Sequence, residues 1–202
     1  MRRILAVIAA VTIAFWCGFF IGSHRKPAPS SFHDMLVNHP HDFSGLITPK
    51  DKRVQALAAE LKTPEHAYAY VRDRIMDDPS LPVTPPGEII AQGRSSCLGK
   101  AVLLCTLYRA MGLPSSAVRV VIGEVSISRG IFDHAWVDME HKGTCLQQDP
   151  TNILGTWSFD HFRGMAFVQA YVRDEECVFN DQNFAIVSQL NQFKGGGHPA
   201  IR

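Results

Sequence analysis

Apolar residues along the 202-residue chain fall into blocks of different period, and each block predicts a different element. The first block is unbroken. Ile4 to Gly22 carries no charge, and at about 19 residues it is close to the ~20 that a helix needs to cross bilayer hydrocarbon. Residues 23–49 then turn to Pro, Ser, His and Asp with little periodicity, which predicts a linker. From Lys50 to Leu61, the residues Val54, Leu57, Ala58 and Leu61 recur at i, i+3, i+4 and i+7, the stripe of an amphipathic helix. Thr63 and Pro64 are a cap residue and a first-turn proline; they open a second helix running to about Asp77, with Ala67, Tyr70, Val71 and Ile75 toward the core. The proline-rich residues 77–87 cannot continue it and predict a rigid loop, followed by a short helical turn over Glu88 to Gln92.

Ser96 to Met111 is apolar nearly all round, which predicts a central, buried helix with Ser95 or Ser96 as N-cap and Gly112 and Pro114 as its stop. Beyond it the period changes to two. Ala117 to Val125 predicts a strand, Ser126 to Gly130 a turn, Ile131 to Glu140 the return strand, and Thr144 to Gln148 a third strand after a turn at His141 to Gly143. Alternation puts His134, Trp136 and Asp138 on one face. After Asn152 the pattern weakens: Trp157 to Phe162 predicts an aromatic loop, Met165 to Val172 a strand, Phe184 to Phe193 a strand or helix, and residues 194–202 a disordered tail. No internal repeat is present.

With 46% hydrophobic residues, the chain beyond the first block can bury one core, so a single domain is expected over residues 50–193. Formal charge is +1, and without Arg2 and Arg3 there are 18 basic against 19 acidic residues. No basic patch argues for nucleic acid. The apolar run is long for a signal peptide, and Phe20 to His24 lacks an Ala-x-Ala cleavage site, so residues 1–22 are expected to be a signal-anchor rather than a cleaved signal peptide. Arg2 and Arg3 nearly balance Arg25 and Lys26, which leaves orientation open on charge alone. A leading segment of this form delivers the downstream chain across a membrane. The domain is therefore expected outside the cytoplasm, on the periplasmic face, or secreted if the segment is removed.

Five cysteines are present. Cys17 lies in the apolar run, Cys105 reads as a buried helix residue, and Cys145 and Cys177 could pair in an oxidising compartment. His24, His33, His39 and His41 lack the regular placement that fixes metal ligands, and neither a metal nor a cofactor is expected.

The remaining cysteine sits where a thiol can become a nucleophile. Cys97 opens the apolar helix, where free N–H groups and the helix dipole favour negative charge on sulfur. His134 lies mid-strand and Asp149 ends the next strand, near enough to be cross-strand neighbours. In a thiol triad the histidine deprotonates the cysteine and the carboxylate orients the imidazole. Asp133 and Asp138 flank His134 as rival carboxylates. An oxyanion hole is also needed: the Cys97 backbone N–H is the obvious first donor, with Gln92, Gln147 and Gln148 as candidates for a second. Trp136 reads as a packing residue, with a substrate platform as the alternative.

The blocks Gly93-Arg-Ser-Ser-Cys-Leu-Gly-Lys-Ala through Gly112-Leu-Pro, His134-Ala-Trp-Val-Asp and Asp149-Pro-Thr-Asn together resemble the transglutaminase-like superfamily over about residues 50–155. Their spacing is similar to that of bacterial transglutaminase-like cysteine peptidases. The resemblance implies an α+β, papain-like fold in which a central helix carrying the nucleophile packs on an antiparallel sheet, with Cys97, His134 and Asp149 as triad. Animal transglutaminases carry Trp after the nucleophile, where this chain has Leu98, and the chain lacks the length for their β-domains and calcium sites. The implied activity is thus hydrolysis of a peptide or amide bond in the cell envelope, on a protein or peptide substrate, with acyl transfer to an amine left open. A catalytically inactive binding module in an envelope assembly is the alternative.

Overall fold

The computed structural model describes residues 43–151, 153–154 and 158–187. The expected membrane segment, most of the linker, the C-terminal tail and the four N-terminal histidines lie outside the described residues. Among the described residues no helix is long and apolar enough to cross a membrane.

A 3-10 turn at Phe43–Leu46 leads into α1 (Lys52–Leu61), whose Asp51 cap accepts from the N–H groups of Arg53 at 2.8 Å and Val54 at 3.1 Å. Helix α2 (Pro64–Arg74) starts as the Thr63-Pro64 pair predicts, with Thr63 Oγ1 accepting from His66 N at 3.3 Å. It ends three residues before Asp77, because Ile75 turns extended and β1 (Met76–Asp77) pairs in parallel with β2 (Arg94–Ser95). Its buried face carries Ala67, Tyr68 and Val71, so Tyr68 takes the place expected for Tyr70. The loop after β1 leads to α3 (Pro86–Gln92), closed by Gly93 in the left-handed region.

Helix α4 (Cys97–Ala110) is the centre of the fold, with every residue from Leu98 to Tyr108 buried. Against it lies a six-stranded sheet of antiparallel pairs in the order β6-β5-β4-β3-β7-β8. Strands β3 (Val118–Ile127) and β4 (Gly130–His141) form a hairpin closed by Ser128 and Arg129, tighter than the predicted turn. Lys142 and Gly143, both at positive φ, make the next two-residue turn into β5 (Thr144–Gln148).

The sheet is buried on both faces. Val120, Ile122, Ala135, Val137 and Leu146 pack with α1, α2 and α4 in the main core, while Val121, Val125, Trp136, Phe162 and Phe167 form a second cluster behind. That second face is covered by α5 (Ala166–Tyr171), with Phe162 of the edge strand β6 (Phe162–Arg163) in the same cluster. The strand expected over Met165 to Val172 is therefore mostly helix. Gln147 Oε1 accepts from Phe167 N at 3.2 Å and Val168 N at 3.4 Å, satisfying first-turn donors of a helix that places Phe167 and Tyr171 on one side. Strand β7 (Val172–Phe179) comes next and pairs with β3, and β8 (Phe184–Ile186) ends the sheet. Cys145 and Cys177 are free thiols: β5 and β7 are separated by β4 and β3, roughly 14 Å of strand spacing against the ~6 Å a disulfide allows between Cα atoms.

Candidate active site

Cys97 is the first residue of α4, half-buried, where the first-turn N–H groups have no intrahelical acceptors. Ser96 is the N-cap by position, yet its side chain makes no cap hydrogen bond, so the backbone donors at the nucleophile are not taken by it. The helix start is pressed against β2. A Cβ on Gly99 would overlap Ser95 Oγ and lie 3.1 Å from Ser95 Cβ, so only glycine lets the strand and the first turn of α4 approach this closely.

His134 sits on β4 opposite Gly123 of β3, on the same face as Phe132 and Trp136, and is 1% exposed. Its Nε2 lies 3.2 Å from Asp149 Oδ1, an ion-pair contact rather than an aligned hydrogen bond. Burial pulls the imidazole toward neutrality, but the Asp149 carboxylate and the Cys97 side chain outweigh it and raise the pKa to about 10. The groups that raise the ring's pKa are thus the Asp149 carboxylate and the Cys97 side chain.

Asp149 comes directly after β5 and is fully buried. Its Oδ1 accepts from Thr151 N at 2.8 Å and Thr151 Oγ1 at 2.6 Å, and its Oδ2 from Leu154 N at 3.2 Å. Tyr68 donates to its backbone carbonyl at 3.2 Å. The Asp-Pro-Thr sequence thus folds into an Asx-type turn that aims the carboxylate. Burial works to raise this carboxyl, but the His134 charge and the Thr151 donors prevail and hold it below the usual carboxylate range.

The other candidates stand apart from this cluster. Gln147 is used by α5, and Gln148 accepts from Tyr108 Oη at 2.7 Å while donating to Phe159 O at 2.8 Å, so both amides serve packing. Gln92 is exposed at the end of α3. Trp136 is fully buried against Phe167 and donates to Asp138, which also pairs with Arg119 at 2.8 Å. Asp133 neighbours His134 on β4, and strand alternation turns it to the other face. His141 ends β4 with its ring edge-on to Phe159 rather than sitting in an open turn. A cavity of about 40 Å³ lined by Arg119, Asp138 and Cys145 lies four residues along β4 from His134. Among the described residues no group of three or more His, Cys, Asp and Glu is placed to hold a metal.

Two charged groups, the buried Lys100 and the half-buried Asp77, are absent from the sequence-derived set. Lys100, one turn after Cys97, is 1% exposed, and Asp77 lies opposite Ser95 in the β1–β2 pair. Lys100 had a signal: a lysine inside a helix apolar all round must find partners. Asp77 had none, because the loop-like residues around it gave no register.

Comparison with known proteins places this chain in a family. No curated protein matches the chain. Among solved structures, calcium-bound LapG of Legionella pneumophila is similar at 14% identity and a TM-score of 0.48, covering 67% of this chain and 75% of that one. A protein of Cytophaga hutchinsonii described as a candidate cysteine protease is similar at 17% identity and a TM-score of 0.44, covering 75% of this chain and 56% of that one. The model of one family matches residues 48–150, just over half of the sequence and the whole stretch from α1 to the Asp149 turn. The chain belongs to the Transglutaminase-like superfamily.

Proposed function

We propose that this protein is a thiol hydrolase that cleaves a peptide or amide bond through an acyl-enzyme on Cys97. The observation that carries the reading is the cluster itself: a thiol at a helix N-terminus, an imidazole under its influence, and a fully buried carboxylate 3.2 Å from that imidazole. Because Nε2 is turned to Asp149, Nδ1 is the nitrogen that exchanges a proton with the sulfur. Cys97 Sγ attacks the carbonyl carbon while His134 holds the thiol proton, and the oxyanion forms against the Cys97 backbone N–H. The carbon–nitrogen bond then breaks as His134 gives that proton to the leaving amine. Water attacks the thioester with His134 as base, the acid departs, and the proton returns to sulfur. Asp149 holds the ring and balances its charge throughout.

The substrate class we assign is a protein or peptide of the cell envelope, reached by a domain that residues 4–22 hold outside the cytoplasm. Two features support this assignment: an uncharged run of membrane-crossing length and the absence of any basic surface signal for nucleic acid. Incubating the full chain with envelope peptides and amides tests the reading, with Cys97→Ala as control. Cleavage that is lost in Cys97→Ala, with an acyl adduct trapped on Cys97, is the expected result. No cleavage of any peptide or amide, with a thiol as inert as the buried Cys105, would favour the binding-module alternative.

A further inference from the structure

Attack of a thiolate on a carbonyl puts a full negative charge on the former carbonyl oxygen, and one backbone N–H meets only part of that charge. A second donor must stand beside the first. None of the three glutamines expected in that role is placed for it: Gln147 and Gln148 hold other elements together, and Gln92 lies exposed at the end of α3. The second donor has to come from elsewhere.

Two serines precede Cys97, and their hydroxyls differ. Ser95, on β2, is 1% exposed, and its Oγ is shut into the protein against the first turn of α4, where a Cβ on Gly99 would overlap it. Ser96 is 8% exposed, so more than nine-tenths of it is buried, yet its hydroxyl is not sealed in with that of Ser95. It stands at the N-cap of α4 with φ −70° and ψ 170°, where a serine Oγ ordinarily accepts from the N–H groups of the first turn. Here it makes no such bond, and among the described residues it has no other partner. Its carbonyl accepts from Lys100 N at 2.9 Å, so the backbone is anchored while the side chain is free to turn.

Covalent geometry sets what this hydroxyl can reach. Standard bond lengths keep a serine Oγ within about 4.5 Å of the next residue's nitrogen in every rotamer, and that nitrogen is Cys97 N. Two donors so spaced can both lie about 2.7–3.1 Å from one oxygen. Rotation about χ1 alone aims the O–H, and no existing hydrogen bond has to break. We propose that Ser96 is a further catalytic residue of the thiol site: its hydroxyl donates to the oxyanion formed at Cys97, beside the Cys97 backbone N–H. This inference rests on the proposed attack of the Cys97 sulfur on a carbonyl carbon. The hydroxyl keeps its proton throughout, so its part is a hydrogen bond and not a transfer.

Two reactions of the same sulfur test this role. With p-nitrophenyl acetate the sulfur–carbon bond forms, the carbonyl oxygen becomes an oxyanion, the carbon–oxygen bond breaks to release p-nitrophenolate, and the thiol proton stays on His134. Iodoacetamide alkylates the sulfur by displacing iodide, and no oxyanion forms. In the full chain, with Cys97→Ala as background, Ser96→Ala should slow the p-nitrophenolate burst about 10²-fold and leave alkylation within about twofold of wild type. Ser96→Gly, also accepted at an N-cap, should do the same. A loosened helix start would instead slow both reactions. A fall of less than about tenfold in acetylation, or an equal fall in both reactions, overturns the proposal. The two levels separate cleanly: if wild-type Cys97 takes up no acetyl group, the hydrolase reading fails and this inference with it, whereas equal acetylation of wild type and Ser96→Ala removes only the role of Ser96.

Discussion

Asp149 carries its charge with none of its surface exposed, which is tolerable only because three donors and an imidazolium surround it. The same pairing makes His134 a stabilising group with a defined pH window. Its folded pKa of about 10 lies above the unfolded value of about 6.5, so its contribution is complete below the lower value and is lost as pH rises to the upper one. Thermal unfolding of the wild type should therefore fall in midpoint between about pH 6.5 and 10, and the fall should be shallower in His134→Gln. Equal slopes in the two proteins would show that the pair does not couple to folding. At this scale Cys97, His134 and Asp149 were legible because each residue type stands at a recognisable place: helix start, mid-strand and strand end. Asp77 and Lys100 were not assigned, since their use depends on a two-residue parallel pairing and on the carbonyls of another helix. No local pattern encodes either.

Among the elements, α4 has the tightest demands. Eleven consecutive buried residues made it readable as a central helix, and its start is located by the closeness of Gly99 to Ser95. Gly99→Ala gains helix propensity but forces β2 away from the first turn, where the nearest atoms belong to Ser95 and Ile89. A loss of about 1–3 kcal/mol in stability is expected, with slower Cys97 alkylation, measured by denaturant unfolding and mass spectrometry. A variant as stable and reactive as wild type would show that this approach is slack. The first helices and the β3–β5 meander are readable directly from period, cap and turn residues. α5 and β7 are not. Val172 to Phe179 holds a run of charges, Arg173, Asp174, Glu175 and Glu176, so its pairing with β3 left no alternation to read. α5 depends on Gln147, 20 residues before Phe167, for its first-turn acceptor.

Across the described residues, the six-stranded sheet is covered on both faces and packs against the nucleophile helix, and four residues along β4 from His134 lie Asp138 and its ion pair with Arg119. The strand order separates Cys145 from Cys177, and burial raises these thiols to about 11 and about 12. Peptide mapping of the full chain after mild oxidation should accordingly find no 145–177 bridge; finding one would require a different strand order. The contrast among thiols also supplies the most direct test of the central claim, that Cys97, His134 and Asp149 act as one relay. Iodoacetamide labelling of the full chain at about pH 6.5, traced residue by residue by mass spectrometry, should modify Cys97 faster than a free model thiol and far faster than Cys105. His134→Ala should slow it. Equal, slow modification of Cys97 and Cys105, unaffected by His134→Ala, would contradict the account.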